Sequence, residues 1–226
     1  MMGDKPGGSN ADGPSDADRT QRRLSDAEDA RNRIARTELQ HHVRSMVRII
    51  RSAFTRTVAA GGLLDDVADH FRGRLDVIAR YHTAWIMAPE SVVPLDIMIY
   101  DELLTYHAAQ DPRVGFSGPD VRLTHKQAQL LGLAFHELAT NSVKYGALRS
   151  ADSRFRLTIQ WVVEKGTLNV RWRETVVSIL GAVPLKVGFG REFLEDALPY
   201  QLGGTCTVEM RPGELSWTIS VPMAQA

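Results

Sequence analysis

Leu131–Leu148 reads LGLAFHELATNSVKYGAL. On a helix of 3.6 residues per turn, Glu137, Asn141 and Lys144 stand at i, i+4 and i+7 and share one polar stripe. Leu131, Phe135, Leu138 and Ala139 gather on another side, as packing against a sheet requires. A carboxylate, an amide and an ammonium on one face suit a Mg²⁺–phosphate ligand: oxygen donors for the metal, positive charge for the phosphates. Spacing alone does not decide for that chemistry, because most polar stripes are simply solvated surface.

Composition narrows the field. With 226 residues the chain can fill one large or two small cores, and 43% hydrophobic with 24% charged residues is the balance of a soluble globular protein. Twenty-seven basic and 27 acidic side chains cancel, which argues against general attraction to nucleic acid or anionic lipid. No apolar run reaches the roughly 20 residues needed to span a bilayer, and the polar N-terminus lacks a secretory core. The single cysteine, Cys206, excludes an internal disulfide and fits a reducing, cytoplasmic setting. No segment is long enough for a sensor module, so any input signal is expected from a separate protein.

Outward from the central helix, residues 1–24 are rich in Gly, Ser, Asp and Pro and read as a disordered head. Ser25 and Glu28 form a capping box that opens a helix running to Ala60. Within it Leu39, Val43, Met46, Ile50, Ala53 and Thr57 recur in alternating steps of four and three, a heptad seam. After Gly61-Gly62 the same alternation returns at Leu64, Ala68, Phe71, Leu75, Ile78, His82 and Trp85. Residues 25–88 therefore predict a helical hairpin, whose seams are buried best as a homodimeric four-helix bundle. With Val43 at position a, His41 falls at f, facing solvent, and His42 at g. His82, in a seam, reads as a core histidine. His70, His107 and His125 have no companions at zinc-ligand spacing.

Met87–Pro94 marks a boundary, and residues 92–226 form the second domain. It predicts a helix over 95–108, short strands at 114–116 and 121–123, and a Thr124/Gln127 capping box ahead of the central helix. Strands over 154–163 and 167–174 turn at Lys165-Gly166. A helix over 189–202 stops at Gly203-Gly204, with Pro199 expected to kink it. Strands over 205–210 and 215–221 turn at Pro212-Gly213. The fold class is α+β: a helical hairpin followed by an α/β sandwich with helices on one face of a mixed sheet.

HELATNSVKYGAL also resembles the Asn box of the histidine-kinase (Bergerat) ATPase fold, and specifically that of the HWE subfamily, where His precedes the Glu. The resemblance continues through Trp172-Arg173-Glu174, Gly188-Phe189-Gly190, QLGG at Gln201–Gly204, and LQHHVRS at Leu39–Ser45. HHVRS is similar to the family's HRVKN phosphoacceptor box, differing at His42 and Ser45, and this identifies His41 with the phosphorylated histidine. The resemblance implies that Asn141 coordinates Mg²⁺ and that Glu137 polarises the nucleophile or a metal-bound water. It implies that Lys144 neutralises phosphate charge and that Tyr145 lines the pocket beside the base. Glu174 would accept the adenine amino group, with Trp172 packed beneath. Gly188, Phe189 and Gly190 would let backbone approach the triphosphate at a helix N-terminus.

One departure concerns the loop after Glu174, where the family has Gly-Gly-Pro and this chain has Thr175-Val176-Val177-Ser178. β-Branched residues forced to positive φ cost on the order of 1–3 kcal/mol each. The function implied is a two-component histidine kinase that phosphorylates His41 from Mg·ATP and passes the phosphoryl group to an aspartate of a response-regulator receiver domain. Two alternatives stand beside it: a phosphotransfer protein with a lapsed ATP site, and a non-enzymatic dimeric scaffold that binds receivers.

Overall fold

The structure, a computed structural model, describes residues 33, 37, 39–40, 43–44, 46–55, 57–58, 64–88, 91–149, 151–175 and 189–223. The head, the Ser25 cap, His41, His42, Ser45, Gly61-Gly62, and the loop holding Val176, Val177, Gly181, Pro184 and Gly188 lie outside the described residues. Contacts divide the chain into two compact units, Met1–Ile49 and Ile50–Ala226. Every described residue of the first unit is helical, and the Thr37 hydroxyl donates to the Arg33 carbonyl one turn back at 2.9 Å.

The second unit opens with helical residues 50–55 and 57–58, followed by α1 (Leu64–Met87). Ala53 and Thr57 are buried, as their seam positions require, while Phe54 and Val58 remain about half exposed. Phe54 still meets Phe71 of α1 edge-on, with ring centroids 5.3 Å apart. On α1 itself the heptad reading holds only in part. Ile78 is buried, Phe71, Leu75, His82 and Trp85 are half-buried, and Ala68 is exposed. A second stripe, Arg74, Val77 and Tyr81, is buried more deeply than the seam, because α1 packs on the central helix as well.

A short ribbon pairs β1 (Val93–Pro94) with β3 (Arg122–Leu123) and leads into α2 (Leu95–Thr105). Leu95, Met98, Ile99 and Leu103 recur at helical spacing and are buried, and Glu102 is buried among them. The central helix, α3 (His125–Tyr145), starts at the expected capping box. Thr124 Oγ1 accepts from the Gln127 amide at 3.3 Å, and the Thr124 amide donates to Gln127 Oε1 at 3.0 Å. Such a cap contributes about 1 kcal/mol and fixes where the helix begins.

The five-stranded sheet has the order β2-β4-β5-β7-β6, from β2 (Val114–Ser117), β4 (Arg156–Glu164), β5 (Thr167–Thr175), β7 (Glu214–Pro222) and β6 (Thr205–Arg211). Only β2 and β4 run parallel; the remaining pairs are antiparallel, so the sheet is mixed as expected. Leu157, Ile159, Trp161, Leu168, Val170, Trp172, Trp217, Ile219 and Val221 alternate onto one buried face. Phe135 of α3 lies over Trp172 with centroids 6.4 Å apart and planes within 24°. Lys165 and Gly166 both take positive φ, 49° and 73°, the hairpin geometry their sequence signalled.

Ahead of β6 the chain forms α4 (Phe189–Glu192), a π-helical turn (Phe193–Ala197) and α5 (Leu198–Leu202). Pro199 has no N–H to give to the preceding turn, and the wider π turn absorbs that defect without ending the helix. Gly203, at φ 64°, closes α5 in the left-handed conformation that glycine adopts cheaply.

Candidate active site

Glu137, Asn141 and Lys144 do share one face of α3. Glu137 is buried, and Asn141 and Lys144 are half-buried. The first turn of α4 lies against this stripe. A Cβ built on Gly190 would stand 3.0 Å from Glu137 Oε2 and 3.6 Å from Asn141 Nδ2. A glycine at that point leaves room where the carboxylate and amide converge. The donor set of carboxylate oxygen, amide oxygen and ammonium fits a divalent cation with phosphates. Tyr145, the next residue, is 65% exposed at the C-terminal end of α3. The backbone of Phe189 is helical, and its side chain lies outside the described residues.

The stripe is also met from the other side by α1. Arg74 grips Glu137 with two parallel hydrogen bonds, Nε to Oε1 at 2.6 Å and Nη2 to Oε2 at 2.7 Å. The two side chains are only 5% and 7% exposed, so this is a fully desolvated, bidentate ion pair. The Thr57 hydroxyl accepts a further bond from Arg74 Nη1 and in turn donates to the Ala53 carbonyl at 2.5 Å. One turn before Arg74, His70 Nε2 lies 2.5 Å from Lys144 Nζ. Burial, followed by the charges of Lys144 and Arg74, holds the His70 imidazole below its ordinary pKa. The ring is thus neutral and accepts from the ammonium.

His136, beside Glu137, turns to a different set of groups. Its Nδ1 lies 2.8 Å from Glu102 Oε1 and 3.2 Å from the Tyr106 hydroxyl, which reaches Thr140 Oγ1 at 2.7 Å. Arg80 of α1 adds charge at 3.5 Å from Glu102 Oε2. Burial pushes the Tyr106 phenol up to about 12, so it stays protonated as a donor.

Trp172 and Glu174 stand on β5 with their side chains turned inward, 1% exposed each. Glu174 Oε1 accepts from the Trp172 indole at 2.9 Å and Oε2 from the Ala147 amide at 2.7 Å, while the Ser142 hydroxyl adds a third bond. Burial raises the carboxyl above its usual range, and these hydrogen bonds oppose that shift. The carboxylate ties the C-terminal end of α3 to the sheet. Gly146 is where this tie passes closest, since a Cβ there would overlap Glu174 Oε2. Gly146→Ala is therefore expected to destabilise the protein by about 1–3 kcal/mol, read as a lowered urea midpoint. An unchanged midpoint would show that the tie yields without cost.

Arg74 and Glu102 are absent from the sequence reading, and His70 entered it only as a histidine without metal companions. A signal was available: His70, Arg74, Val77 and Tyr81 recur at i, i+4, i+7 and i+11, a second helical stripe beside the heptad seam.

Against this geometry stand the comparisons with known proteins. The family model for the HWE histidine kinase matches residues 38–120. A blue-light-activated histidine kinase of Erythrobacter litoralis is 31% identical over 202 residues, covering 87% of this chain and 55% of that protein. The chain is similar in sequence to the HWE histidine kinases. A blue-light-activated histidine kinase of Brucella ovis matches at 24% identity over 91% of this chain and 42% of its own length. The chain thus spans about half the length of the curated relatives it matches. Among solved structures, an E. litoralis blue-light-activated histidine kinase aligns with TM-score 0.58 at 15% identity, over 83% of this chain and 61% of that one. A histidine kinase domain from E. litoralis aligns with TM-score 0.54 at 13% identity, over 80% and 94%. These confirm the α+β fold of the histidine-kinase ATPase type.

Proposed function

We propose that this chain is the catalytic core of a protein-histidine kinase, which phosphorylates His41 from Mg·ATP and passes the phosphoryl group to a receiver-domain aspartate. The observation that carries this reading is the convergence of Glu137, Asn141 and Gly190 on one face of α3, with Lys144 two turns along. When bound, the nucleotide brings the phosphoryl group and Mg²⁺ neutralises part of its charge. Asn141 is the metal ligand through its side-chain oxygen, and Lys144 offsets phosphate charge. Glu137 orients the attacking group or a metal-bound water. Gly188, Phe189 and Gly190 admit the phosphates close to backbone. Tyr145 flanks the base. Glu174, expected to accept the adenine amino group, is instead buried with Trp172, both of its oxygens held by Trp172 and Ala147. The pair forms the floor that holds α3 on the sheet. His41 must be neutral to act as nucleophile, as an imidazole with a pKa near ~6.5 largely is at neutral pH. Positioning and charge supply nearly all of such a reaction.

Homodimerisation through the hairpin, a response-regulator partner, input from a separate sensor protein and a cytoplasmic location complete the proposal. No helix among the described residues is long and apolar enough to cross a membrane. One observation favours a second reading, a phosphotransfer protein with a lapsed ATP site: both oxygens of Glu137 are taken up by Arg74. Incubation with γ-labelled ATP and Mg²⁺ separates the two. Acid-labile, alkali-stable label supports the kinase. No label from ATP, with uptake from a phosphorylated receiver, supports the relay.

A further inference from the structure

We infer that α1 is a latch on the nucleotide site: Arg74 and His70 occupy the Glu137 and Lys144 positions of the stripe, and the site becomes competent when α1 lets go. The inference rests on the kinase reading above and concerns the regulation of that site.

Two side-chain contacts join the helices. His70 and Arg74 are four residues apart on α1, and Lys144 and Glu137 are seven apart on α3. The imidazole meets the ammonium, and the guanidinium meets the carboxylate. The helices approach closely because glycines stand at two contacts. A Cβ on Gly73 would lie 2.6 Å from His136 Nε2, and one on Gly132 would overlap the Tyr81 ring. Around these, Arg80 of α1 faces Glu102, which also holds His136. Glu137 cannot orient a nucleophile or a metal-bound water while both its oxygens accept from Arg74. Lys144 cannot direct all its protons at a phosphate while one is given to His70. Nucleotide and α1 therefore compete for the same two side chains, and whatever moves α1 sets the fraction of competent sites. Apparent affinity falls by that fraction.

The test uses the full chain, a non-hydrolysable ATP analogue with Mg²⁺, and two variants that weaken the contact by different means. Arg74→Met removes the guanidinium and keeps the length of the side chain. Gly73→Ala forces α1 away from His136 and leaves every charge in place. The first readout is hydrogen exchange over residues 64–87 without nucleotide, which does not depend on activity; both variants should exchange faster there than the wild type. In the wild type the analogue should speed exchange of the same segment. The analogue should bind both variants about tenfold more tightly than the wild type. Equal or weaker binding in both variants, or a segment that stays protected when the wild type is saturated, overturns the latch and leaves the kinase reading standing. No binding to the wild type or to either variant overturns both.

Discussion

Asn141→Ala is expected to lower incorporation of phosphate from Mg·ATP by on the order of 10²-fold or more, the loss seen when one fixed electrostatic contact to a reacting centre is deleted. Asn141 is half-buried on the stripe, and its Nδ2 is the atom that a side chain at Gly190 would approach at 3.6 Å. Truncation removes the proposed metal ligand and leaves the α3–sheet packing alone, since the helix is held by Phe135 and by the Glu174 tie. The fold should accordingly survive, with circular dichroism and urea midpoint near those of the wild type. Activity within a few-fold of the wild type would exclude Asn141 from the metal site and move the search to other oxygen donors.

The largest expected effect on stability belongs to Trp172→Ala. The side chain is 1% exposed, stacks on Phe135, and donates its indole N–H to Glu174 at 2.9 Å. Deleting a buried aromatic of this size costs about 3–5 kcal/mol. For a chain of this length that is a fall in Tm of roughly 6–20 °C. Trp172→Phe separates the two contributions. It keeps a ring against Phe135 and withdraws only the hydrogen bond, leaving a buried carboxylate one donor short at a cost of about 1–3 kcal/mol. Equal losses for the two variants would mean that the hydrogen bond, and not the ring, holds this part of the core.

The features that local chemistry dictates were legible in the sequence. α3 has an apolar side, a Thr124/Gln127 box at one end and a glycine at the other, so its limits and its polar stripe followed directly. The β4–β5 and β6–β7 hairpins followed from Lys165-Gly166 and Pro212-Gly213, with glycines at φ 73° and 77°. α1 was harder because it carries two stripes. The heptad steps find the stripe that carries Phe71, which meets Phe54, and a charged residue such as Arg74 does not register in a hydrophobic pattern. A guanidinium is buried only when a carboxylate waits for it, and Glu137 is 63 residues away in the chain. Long-range pairing of that kind leaves no periodic mark. Glu174 is the intermediate case. Leu168, Val170, Trp172 and Glu174 share one parity on β5, so strand alternation alone turns that carboxylate toward the core. What alternation does not reveal is that Ala147 and Ser142 of the α3 end fill it.

The most direct measurement is the location of phosphate after incubation of the wild type, His41→Ala and Asn141→Ala with γ-labelled ATP and Mg²⁺. The account predicts acid-labile label on the wild type, mapped by mass spectrometry to His41, and none above background on either variant. Label that persists at full level on His41→Ala would contradict it.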